Sequence, residues 1–102
     1  MKGGKMTTDK MLKDNCDHIA KDIESITDVG KWLEDALDFE WITNKDKTFK
    51  AARILVAFGG PNIWVNTQTN TVDGYWWLDK AKATFKENQE LNSYLEEIYN
   101  IS

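Results

Sequence analysis

The chemistry open to this 102-residue chain begins with its single histidine and its single cysteine. Asp14, His18 and Asp22 fall at i, i+4 and i+8, which places them on one side of a helix. Carboxylates and an imidazole are legitimate ligands for a divalent metal. However, i to i+8 spans about 12 Å along a helix axis, too far for one ion. An ion pair, Asp14 with His18 or His18 with Asp22, on a solvated face is the expected use of these groups. Cys16 lies inside an apolar stripe, so a buried and inert thiol is expected. No serine, threonine or cysteine has a His/Asp arrangement that would activate it. Glu34-Asp35 and Glu96-Glu97 are adjacent pairs on predicted helices and point to different sides, so they form no acid/base dyad. Gly59-Gly60-Pro61-Asn62 lacks the Gly-x-Gly-x-x-Gly and Walker patterns and sits between predicted strands, not before a helix. The expectation is a protein that is not an enzyme and holds no metal or cofactor.

The elements that place these residues follow from periodicity. After a polar lead-in over residues 1–7, expected to be frayed, Thr8 or Asp9 can cap a helix. Leu12, Cys16, Ile19, Ala20, Ile23 and Ile26 then form one stripe at helical period. Thr27-Asp28 offers a fresh cap for a second helix carrying Val29, Trp32, Leu33, Ala36 and Leu37. Phe39, Trp41 and Thr43 alternate with Glu40 and Ile42, predicting a first strand.

A second strand runs from about Thr48 to Phe58, apolar on both faces and so expected in the interior of the sheet. Two reversals follow, at Gly59–Asn62 and at Thr67–Asn70, with Asn70 suited to a left-handed position. Between and after them, strands at Asn62–Asn66 and Thr71–Trp77 complete four antiparallel strands. Leu78–Lys86 reads either as extended chain or as the start of the last helix, which is clear from Glu87 onward, with Asn88 as a possible cap. The fold class is α+β, ordered ααββββα, in a single domain over residues 8–102.

The fourth strand puts Val72, Gly74 and Trp76 on one face and Thr71, Asp73, Tyr75 and Trp77 on the other. Gly74 leaves room for a helix to lie over its face. The second face can meet Trp64 in an aromatic pairing. Asn62, Trp64, Asn66, Asp73, Tyr75 and Trp77 are therefore either sheet cover or an exposed contact face. With three helices on one side, the other sheet face is expected to be half-polar or covered by a second copy.

Net charge is −4 and unevenly spread, with 6 lysines against 10 acids in residues 1–40. Each phosphate contact would be repelled, which disfavours nucleic acid as a direct partner. The acids Asp28, Glu34, Asp35, Asp38 and Glu40 are expected on a helical face that could meet a basic protein surface. A lone cysteine, no long apolar run and no secretory or lipidation signal suit a cytoplasmic protein.

Gly59-Gly60-Pro61-Asn62-Ile63-Trp64-Val65-Asn66-Thr67, followed by Val72-Asp73-Gly74-Tyr75-Trp76-Trp77, resembles short acidic proteins of plasmids, integrative elements and phages of Gram-positive bacteria. The likeness extends upstream over Val29 to Trp41, with its Trp32-Leu33-Glu34-Asp35-Ala36-Leu37-Asp38-Phe39-Glu40, and downstream to the final helix. Proteins in that setting are often inhibitors of host defence, anti-CRISPR proteins among them. The resemblance thus implies a protein-binding inhibitor whose target is an RNA-guided Cas nuclease. The alternative is a self-associating accessory protein of a mobile element. Where the group tends to have Trp-Trp-Gly-Asp, this chain has Trp76-Trp77-Leu78-Asp79, so the turn there is expected to differ.

Overall fold

A computed structural model describes residues 8–102, and the expected frayed lead-in, residues 1–7, lies outside them. The elements are α1 (Thr8–Glu24), α2 (Val29–Leu33), β1 (Asp38–Thr43), β2 (Phe49–Ala57), β3 (Asn62–Asn66), β4 (Thr71–Trp76), β5 (Asp79–Thr84) and α3 (Gln89–Ile101). The fold is α+β, with helices at both ends of the described chain and an antiparallel sheet between them. The sheet has five strands, not the expected four, in the order β1-β2-β3-β4-β5.

The added strand is the ambiguous segment after Trp77. Its alanines and lysines are good helix formers, so local propensity pointed both ways. Pairing decides it: Val72 opposes Ala83, Gly74 opposes Ala81 and Asp73 opposes Lys82. Without β5, the outer backbone groups of β4 would have no partner beneath α1.

Both long helices cover one sheet face. The stripe of α1 buries Leu12, Cys16, Ala20 and Ile23 against β4 and β5. At Gly74 a β-carbon would stand 2.7 Å from Cys16 Sγ and 2.8 Å from Leu12 Cδ1, so only glycine lets α1 sit this close. α3 packs on β2 through Leu91 and Leu95. Its cap is Asn88, which accepts from Leu91 N–H at 3.0 Å and donates from Nδ2 to the Ile23 carbonyl at 2.8 Å. One side chain thus starts α3 and ties it to α1. From the sheet, Ile54, Ile63, Val65 and Val72 complete the core.

The second helix is shorter than its apolar pattern suggested. Asp28 caps it by accepting from Lys31 N–H at 3.0 Å. It ends at Leu33, after which tight turns at Asp35 and Ala36 carry the chain to Leu37, whose N–H bonds the Leu55 carbonyl. Joining the sheet there costs the helix its last turn and leaves Leu37 exposed. Asn70 takes the left-handed conformation, φ 55°, that its position in the β3–β4 loop called for.

Candidate protein-contact face

The face opposite the helices is built by register. Across it, Asp38, Leu55, Trp64, Asp73 and Lys82 stand side by side on successive strands. The next row holds Glu40, Arg53, Asn66, Thr71 and Thr84. Asn62, Tyr75 and Lys80 form a third. No described helix packs on this side.

Of the sequence-predicted residues, Asn62, Trp64, Asn66, Asp73 and Tyr75 share this face. Their surroundings differ. Asn66 Oδ1 accepts from Gln68 and Thr69 N–H at 2.9 and 3.2 Å, so its side chain shapes the β3–β4 turn. Trp64 is half-buried, with the Arg53 guanidinium 4.3 Å above its ring, and Arg53 also pairs with Glu40. Asp73 Oδ2 accepts from the Thr71 hydroxyl at 3.3 Å. Its Oδ1 is buried without a hydrogen bond, and Lys82 Nζ stands 3.8 Å from it. Lys82 is thus the charge that offsets this buried oxygen.

Trp77 does not belong to the face. Trp76 pairs with Asp79, which leaves only Trp77 and Leu78 to make the reversal between β4 and β5. Trp77 is the first turn residue, at φ 56° and 89% exposed, and Leu78 beside it is 97% exposed. That first position normally takes glycine when its φ is positive. Phe58, expected in the second strand, lies in the β2–β3 reversal at the same end of the sheet and is also exposed. Leu37, entering β1, completes an apolar rim there.

The expected acidic helical face is not one surface, because α2 is too short to carry it. Asp28 caps α2, Glu34 ends it, and Asp35 follows in the turn. Asp38 and Glu40 stand instead on β1, on the open face. Periodicity alone missed Arg53, Leu55, Lys80 and Lys82 as members of that face. Pairing the period-two faces of β2 and β5 with β3 and β4 would have found them.

His18 is exposed, with Nε2 3.6 Å from Asp22 Oδ2. Among the described residues, no group of three or more His, Cys, Asp or Glu is arranged to hold a metal ion. Cys16 is fully buried, and burial pushes its thiol up from 9.0 to about 11. No helix among the described residues is long and apolar enough to cross a membrane. Comparison with family models, with curated proteins and with solved structures gives no match for the chain.

Proposed function

We propose that this is a non-enzymatic, protein-binding inhibitor that acts in the bacterial cytoplasm and is carried by a mobile element. Its first target to test is an RNA-guided Cas nuclease, which makes it an anti-CRISPR protein. The observation that carries the binding role is the uncovered sheet face. Trp64 and Tyr75 lie there among Asn62, Asp73, Arg53 and Lys82. A tryptophan and a tyrosine set among polar groups are the composition of binding hot spots. The choice of target rests on the resemblance of the Gly59–Thr67 and Val72–Trp77 runs.

The test is plating of a targeted phage on a CRISPR-immune host that expresses the chain. Wild type should restore plaques. Trp64→Ala with Tyr75→Ala, checked for folding by circular dichroism, should not, since Trp64→Ala alone should weaken binding by on the order of 2 kcal/mol. Loss of activity with Glu34→Gln and Asp35→Asn instead would move the site to the turns around α2. No protection by wild type in any immune host would overturn the target.

A second reading is self-association through the same face, and the charge order along it favours that reading. Acids stand on β1 (Asp38, Glu40) and lysines on β5 (Lys80, Lys82). A two-fold axis parallel to the strands lays β1 of each copy over β5 of the other, matching acids to lysines. Sedimentation at rising concentration separates the two: a dimer that Trp64→Ala breaks, without any effect on phage plating, supports the accessory role.

A further inference from the structure

The two edges of the sheet are treated in opposite ways. At the β5 edge, Lys80 and Lys82 lie on the strand and α1 packs above it. Phe85 N–H bonds the Asn70 carbonyl, and this phase turns the Lys82 backbone outward. Lys13 of α1 then donates from Nζ to that Lys82 carbonyl at 2.8 Å. Lysines on an edge and a covered carbonyl are ordinary protection against an added strand.

The β1 edge has neither lysine nor proline. Ala52 accepts from Thr67 N–H and donates to Thr67 Oγ1, so its backbone faces β3 and that of Arg53 faces β1. Glu40, opposite Arg53, is therefore bonded into the ladder, and the backbones of Phe39 and Trp41 turn outward. Phe39 N–H is taken by its neighbour Asp38 Oδ1 at 2.9 Å. Nothing among the described residues is bonded to the Trp41 N–H and carbonyl on that side.

We propose that the outer edge of β1 is a docking site for an extended segment of a partner protein that carries lysine or arginine at alternate positions. Asp38 and Glu40 lie two residues apart on the open face, where alternate side chains of an added strand would fall beside them. On the other face Phe39 and Trp41 stack with ring centroids 5.7 Å apart, an apolar strip for the intervening residues. The exposed acids Glu34 and Asp35 flank the approach to β1. A second copy is a poor occupant. Antiparallel pairing of two β1 edges would crowd Asp38 and Glu40 of both chains onto one face, directly or diagonally opposite one another. The same charges that repel a copy select a basic strand. This site shares Asp38 and Glu40 with the margin of the open face but is centred on the β1 backbone edge, and it does not rest on the role proposed for Trp64.

The test is a nuclear magnetic resonance titration of the intact protein with short synthetic peptides that alternate lysine and valine. Shift changes should centre on Asp38–Thr43, and exchange of the Trp41 amide should slow about tenfold. A glutamate–valine peptide should do neither. In antiparallel pairing the lysines lie beside Asp38 and Glu40, and the valines supply the backbone bonds to Phe39 and Trp41. N-methylation of the valine nitrogens should thus abolish the effect, and N-methylation of the lysine nitrogens should spare it. Asp38→Asn with Glu40→Gln should weaken the peptide about tenfold, whereas Trp64→Ala should bind it like wild type. Equal response to both N-methylated peptides, a response centred on Trp64, or no response at all would overturn the proposal. So would a Trp41 amide already protected in a concentration-dependent way without peptide, because the edge would then be held by a second copy.

Discussion

Cys16 and Trp77 stand near opposite ends of the range of side-chain exposure among the described residues. Cys16 has no exposed surface, and burial raises its thiol from 9.0 to about 11. Because the folded value is the higher, the unfolded chain loses its proton first. The contribution is complete below about pH 9 and is lost as pH rises toward about 11. Chemical denaturation midpoints should therefore fall across that window in wild type and fall less in Cys16→Ala. At about pH 8 the folded thiol should react with a disulfide reagent only as fast as the protein opens. Trp77 is the reverse case, a large ring in solvent on a backbone held at φ 56°. A non-glycine residue in that conformation carries about 1 kcal/mol of strain or more. Trp77→Gly should raise the melting temperature by relieving it. A fall would mean that the indole makes contacts worth more than the strain.

At the level of elements, the sheet and helix periods were legible wherever a residue had one job. The α1 stripe, the Asn88 cap, the Asn70 turn and the alternation in β4 all follow from local spacing. What local spacing could not carry was competition between elements. Asp79–Thr84 is built from residues with little preference for a strand, and it becomes one because β4 offers a ladder and α1 offers cover. Val29–Leu37 has a helical pattern throughout, and it stops at Leu33 because Leu37 is claimed by β2. The open sheet face was half legible for the same reason: β3 and β4 were readable as a pair, but its charged margins on β1 and β5 depend on register across the whole sheet. Gly74 is where two elements meet most tightly. Gly74→Ala should cost roughly 1–3 kcal/mol, because the new methyl group runs into Cys16 and Leu12. A smaller loss in urea denaturation would show that α1 can lift from β4 without penalty.

For the molecule as a whole, the uncovered sheet face and the open β1 edge meet at Asp38 and Glu40, so a partner gripping both would wrap one corner of the sheet. The strand order has a kinetic consequence as well. Each strand pairs with the one made just before it, so the sheet can zip up with short loops and little entropy lost in closing them. α1 is the exception, since it is made first and yet beds on β4 and β5, the last strands. Its burial must wait for a loop of most of the chain to close. Leu12→Ala should accordingly leave the folding rate almost unchanged and speed unfolding, the pattern of a contact absent from the transition state. On the ribosome the first helix would emerge with its apolar stripe uncovered and stay so until residue 84 is clear of the exit. Throughout that interval the growing chain depends on chaperones, or on the dense charges that flank that stripe, from Lys10 and Lys13 to Asp22 and Glu24, to stay out of aggregates.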